Sequence, residues 1–130
     1  MVSIDTNIVV RLLVNDDPLQ TARAVALFKA NKIFIAKTVV LESEWVLRAV
    51  YGLDRKKVNA AILALISLED VVVEDDAVLF TALEAHSNGL DFADALHVSS
   101  SRRADKFATF DTALRARAIK QDIQPLVVLP

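Results

Sequence analysis

Val2-Ser3-Ile4-Asp5-Thr6-Asn7-Ile8-Val9-Val10 joins two kinds of hydrophobic pattern. It begins as a β-branched run that reads as a buried strand ending at Asp5, and beyond Thr6 the apolar spacing turns helical. Open α/β sheets build their sites at the carboxyl ends of strands. Asp5, flanked by the Thr6 hydroxyl and the Asn7 amide, is therefore a candidate ligand or catalyst.

Outward from this segment the same alternation repeats. The first helix is expected from Thr6 to about Val14, and a second from Pro18, capped by Asp17, to Ala30. Ile33–Ala36 reads as a strand, Thr38 to Gly52 as a third helix, and Asp54 as the cap of a fourth whose buried stripe is Val58, Ile62 and Leu65. Val71–Val73 is the next strand, followed by helices capped by Asp76 and Asp91, the latter reaching about Arg103. Phe107–Phe110 is a strand, Asp111 caps a short last helix, and Leu126–Leu129 closes the pattern. Strands separated by helices imply a three-layer α/β/α fold, with an about five-stranded parallel sheet and helices on both faces. With 130 residues, a single domain spanning 1–130 is expected.

Composition narrows the chemistry. The absence of Cys excludes disulfides, thiolate metal sites and cysteine nucleophiles, and with no leader-like segment ahead of the first strand the chain reads as cytoplasmic. Gly occurs only at positions 52 and 89, which removes phosphate-cradling glycine loops. His86 and His97 form no HExxH pattern, and no G-x-S-x-G elbow is present, so zinc and serine hydrolases find no support. A net charge of −2 gives no bulk attraction to nucleic acid, so any grip on phosphate must be local. Apolar residues at 54% exceed what one small core comfortably hides, which points to a second copy or a partner.

Three further acids can be argued onto the spot marked by Asp5. Asp111 stands at the end of its strand, and if strand one is central the two acids face one crevice. Glu42 lies inside the third helix with Trp45, Val46 and Ala49 at i+3, i+4 and i+7, so it heads an apolar face where a carboxylate needs a cation or donors. Glu44 then points into solvent, paired with Arg48 at i+4. Asp94 sits among small residues suited to close helix packing, three positions after Asp91, as in an imperfect capping box. Singly, Asp5, Asp91 and Asp111 are explained as helix caps, each contributing about 1 kcal/mol. Together the acids would not stay ionised without cations, since two carboxylates at ~4 Å repel by roughly 4 kcal/mol at an effective dielectric near 20. All-oxygen ligands suit Mg²⁺ or Mn²⁺, and an acid pocket holding such ions is a phosphodiesterase design.

Ile4-Asp5-Thr6-Asn7, Thr38-Val39-Val40-Leu41-Glu42, Asp91-Phe92-Ala93-Asp94-Ala95-Leu96 and Ala108-Thr109-Phe110-Asp111 resemble, in order and spacing, the acidic motifs of PIN-domain nucleases. The resemblance covers essentially the whole chain, and the short solitary domain looks most like the VapC-type toxins of toxin–antitoxin pairs. It implies that Asp5, Glu42, Asp94 and Asp111 hold Mg²⁺ or Mn²⁺ and cut RNA, with Thr109 at a hydroxyl position and Asp91 at an additional acid position. It also implies a homodimer and a cognate VapB-type antitoxin.

Arg115, Arg117 and Lys120 on the last helix are candidates for holding flanking RNA phosphates, against a plainer reading as a solvated basic helix end. Trp45, Tyr51 and most of the Phe residues read as core or interface, so base stacking is not indicated. Two alternatives keep the fold: a PIN-domain RNA-processing nuclease without an antitoxin, and a catalytically silent protein-binding module. A receiver-like phosphoacceptor would need a lysine after the last strand, and Leu126–Pro130 has none.

Overall fold

Short-range capping sets most helix starts. Asp5, Asp17, Asp54, Asp91 and Asp111 each stand at an N-cap, and their carboxylates accept the backbone N–H three residues on, at 3.2, 3.1, 2.9, 3.1 and 3.0 Å. In the computed structural model, which describes residues 1–130, the elements follow the expected order. They are β1 (Val2–Ser3), α1 (Thr6–Leu13), α2 (Pro18–Ala30), β2 (Ile33–Ile35), α3 (Lys37–Ala49), α4 (Arg55–Ile66), β3 (Val71–Val73), α5 (Asp76–Ser87), α6 (Phe92–Ser99), β4 (Lys106–Ala108), α7 (Thr112–Lys120) and β5 (Leu126–Val128).

Two helix starts depart from the sequence reading. Helix α3 begins at Lys37 behind Ala36, which has no capping side chain. Its first amide is satisfied from far along the chain, where Glu74 Oε1 accepts the Lys37 N–H at 2.9 Å and Asp75 pairs with Lys37 Nζ at 2.9 Å. Asp76 is the first residue of α5 rather than its cap, following Asp75 in the left-handed region at φ +50°. Gly52, at φ +68°, turns the chain out of α3 as expected, its N–H returning to Arg48 O at 3.1 Å.

The expected five-stranded sheet is replaced by two smaller parallel ones. One has the order β1-β2-β3, with Val2 opposite Ile33 and Ile35 opposite Val73, and the other pairs β4 with β5. The centre of the first sheet is β2, not β1. Strand β1 has only two residues before Asp5 opens α1, and the amides of Val2 within it and of Ile4 just after it bond to Lys32 O and Phe34 O on the β2 side. So short a strand has few backbone groups to offer a second neighbour.

The residues group into two compact units, Met1–Asp76 and Ala77–Pro130. The first holds β1 to β3 and α1 to α4, with Ile33, Ile35, Leu47, Val58 and Ile62 fully buried. The second holds β4, β5 and α5 to α7, with Leu79, Leu83, Phe92, Val98 and Val127 buried. Each such side chain contributes roughly 1.5–3 kcal/mol relative to exposure. His86 is part of this packing, 2% exposed and set edge-on to Phe92 with ring centroids 5.5 Å apart. No helix is long and apolar enough to cross a membrane.

Candidate functional site

Asp5 and Glu42 stand in the first unit, and Asp91, Asp94 and Asp111 in the second. At the end of β1, Ile4 is buried and the chain turns through Asp5 in extended conformation, leaving the Asp5 carboxylate exposed while one oxygen caps α1. Thr6 is buried and Asn7 exposed. Asp5 and Asn7 line a groove of about 400 Å³ between α1 and α2, together with Arg11, Gln20 and Arg23.

Arg11 organises that groove. Its Nε donates to Gln20 Oε1 at 2.6 Å, and its Nη1 to Asp16 Oδ1 at 3.2 Å and to Tyr51 Oη at 3.1 Å, while Tyr51 Oη donates to Asp16 Oδ2 at 2.8 Å. The network ties α1 to α2 and to the segment that ends α3. Sequence reasoning passed over Arg11 and Arg23, because their relation to Asp5 depends on α2 folding back on α1.

On α3 the two glutamates exchange their expected places. Glu42 is exposed, whereas Glu44 is 2% exposed, and the inward face is Val40, Ser43, Glu44 and Leu47. Trp45, expected in a core or interface, is 53% exposed. Glu44 is buried with a partner on its own helix: Arg48 Nε donates to Oε2 at 3.0 Å and Nη2 to Oε1 at 3.4 Å. This pair was legible at i+4, but the helix presents two apolar faces, and packing against α1 and α4 chooses the one through Leu47.

The second unit gathers negative charge. Asp91 Oδ2 accepts the Asp94 N–H, so half of the capping box forms. Asp94 is half-buried, and its carboxyl is held above the ordinary carboxylate range, first by burial, then by the charges of Asp91 and Asp111, with His97 opposing. Asp111 is fixed on both sides. Its N–H donates to Thr109 Oγ1 at 3.1 Å, and its Oδ1 caps α7 through Leu114. Beside it, Phe110 is 89% exposed, so it is not among the Phe residues expected in core or interface.

Arg115, Arg117 and Lys120 are all exposed on α7. Arg117 and Lys120 line one cleft at the C-terminal end of the helix, whereas Arg115 does not. From Asp111 to Lys120 the rise is about 13 Å at 1.5 Å per residue, so these two cations stand at the far end of α7 from the acid.

Within neither unit do three His, Asp or Glu side chains come together as a metal cage. The donor chemistry nevertheless fits a hard divalent cation. The candidate ligands are carboxylates with no thiolate among them, and Asp94, raised by burial and then by the charges of Asp91 and Asp111 with His97 opposing, is a carboxyl whose ionised form a cation would favour. A family model described as PIN domain matches residues 2–120. No curated protein matches the chain.

Proposed function

From a chain that belongs to the PIN-domain family, whose members are generally nucleases that use divalent metals, we propose a Mg²⁺- or Mn²⁺-dependent endoribonuclease. In this reading it is the toxin of a type II toxin–antitoxin pair acting in the cytoplasm. The observation that supports it is the half-buried Asp94, whose carboxyl is held above its ordinary range by burial and then by the charges of Asp91 and Asp111, in a chain that the family matches over residues 2–120. Structural caps alone have no need to repel one another.

Asp5, Glu42, Asp94 and Asp111 are the residues that would hold the metal. When bound, a divalent ion supplies the charge that activates an attacking water and offsets the negative charge on the leaving oxygen. The chain's own contribution is positional. The cap bonds to Ile8 and Leu114 fix the Asp5 and Asp111 carboxylates while leaving lone pairs free, and Thr109 holds the backbone at Asp111. Asp91 aligns the first turn of α6 beneath Asp94, and Thr6 and Asn7 flank Asp5. Exposed Phe110 offers a face on which an unpaired base can stack, a contact available in single-stranded RNA. Leu19, Trp45 and Val50 are exposed apolar side chains of the first unit, suited to a second copy of the chain and to a VapB-type antitoxin.

The test is cleavage of a panel of structured RNAs by protein freed of antitoxin, with Mn²⁺ and with EDTA. Endonucleolytic cuts that need Mn²⁺ and vanish in Asp94→Asn are the expected result. Metal-independent cleavage, or none of any RNA, would overturn the proposal.

A further inference from the structure

Ser99, the last residue of α6, is 2% exposed and its hydroxyl has no hydrogen-bond partner. A hydroxyl on a helix ordinarily donates to the carbonyl four residues back, and Ser43, Ser67, Thr81 and Ser101 all do so. Ser99 does not, and it lines a cleft of about 960 Å³ built wholly from the second unit. The wall between α5, the ends of α6 and α7, and the Gln121–Gln124 segment also presents Arg102, Arg117 and Lys120. None of these three cations is in an ion pair. They outnumber the carboxylates of the same wall, Glu84 and Asp122.

Basic residues near helix C-termini are favoured by the helix dipole, which accounts for their sequence positions. It does not account for an unpartnered hydroxyl in the wall they share. Unpaired guanidinium and ammonium groups, a buried hydroxyl without a partner in the wall beside them and a cavity of small-ligand size together describe an oxyanion site.

We propose that this cleft binds a phosphomonoester. Such a group carries about 1.5 to 2 negative charges near neutrality, and its oxygens accept from Arg102, Arg117, Lys120 and the Ser99 hydroxyl. The remaining volume takes the organic part of the ligand, bordered by Asn88 and Gln124. The site lies at the far end of α7 from Asp111 and does not rest on the nuclease reading; it stands or falls without it.

The experiment uses the full chain in EDTA at fixed ionic strength, so that no divalent metal carries the ligand. Inorganic phosphate and AMP are titrated by calorimetry, with chloride as the control anion. Saturable binding is expected, weakened about tenfold in Arg102→Gln. Ser99→Ala should melt no lower than the parent, because the lost hydroxyl had no partner, and still bind several-fold more weakly. A trinucleotide with a 5′-phosphate and its 5′-hydroxyl counterpart identify the source. Preference for the phosphorylated trinucleotide over AMP assigns the cleft to an RNA end, and the reverse assigns it to a free phosphomonoester. The proposal is overturned if no phosphorylated probe saturates, if the 5′-hydroxyl trinucleotide binds as tightly as its phosphorylated twin, or if both variants bind AMP like the parent.

Discussion

Asp111 combines two roles that substitution can separate. Its Oδ1 accepts the Leu114 N–H at 3.0 Å, and its charge contributes to the field that raises the Asp94 carboxyl. Asn keeps the capping acceptor and removes the charge, whereas Ala removes both. Loss of the cap costs about 1 kcal/mol. In a chain of 130 residues this lowers the melting temperature by about 3–5 °C. For Asp111→Asn, removal of repulsion with Asp94 offsets a lost attraction to the α7 N-terminus of about 0.3–1 kcal/mol, and the metal-free protein should melt within about 2 °C of the parent. Cleavage should fall about a hundredfold or more in both variants. Calorimetry in EDTA and then in Mn²⁺ completes the assay. At a hundredfold excess over Kd, Mn²⁺ should stabilise the parent by about 2.7 kcal/mol, and either variant far less. Asp111→Asn protein that cleaves at the parental rate with the same Mn²⁺ shift would remove Asp111 from the site. Asp111→Ala protein that melts with the parent in EDTA would refute the cap.

Three other outcomes follow from the same physical grounds. Because the folded protein raises the Asp94 carboxyl above its ordinary 3.8, ionising it opposes folding. The stability associated with its protonated form is present below that ordinary value and lost as pH rises through the folded one. Asp94→Asn, without metal, should therefore melt close to the parent in acid and increasingly above it as pH rises to neutral; a pH-independent difference would contradict this. Arg48→Ala leaves Glu44 buried without the partner at 3.0 Å and should cost about 1–3 kcal/mol, whereas Glu42→Gln at an exposed site should change urea-unfolding stability by less than about 0.5 kcal/mol while abolishing cleavage. The parent should sediment as a dimer at micromolar concentration, and Trp45→Ala, which removes a half-exposed indole, should shift it toward monomer without lowering monomer stability; an unchanged sedimentation profile would exclude Trp45 from the interface.

The order of strands and helices was legible because the signals that set it are local. An Asp side chain caps an amide three residues away, and Gly52 and Pro18 impose their backbone preferences on their own positions. The positions of Asp5, Asp91 and Asp111 at helix starts were legible for the same reason, whereas Glu42 lies inside α3. What escaped depends on contacts between distant segments. Helix α3 carries two plausible apolar faces, and its neighbours α1 and α4 decide that Glu44 is buried and Glu42 exposed. Strand β1 ends after two residues and pairs with β2 alone, so the sheet centred on it does not form. Asp94 owes its raised carboxyl first to burial, then to Asp91, three residues away, and to Asp111; burial and the approach of Asp111 arise only on folding. The cleft around Ser99 likewise draws its cations from two separate segments, Arg102 after α6 and Arg117 with Lys120 on α7. Capping and periodicity act across about one helical turn and are written in the sequence, whereas burial and pairing are properties of surfaces that exist only once the chain has closed on itself.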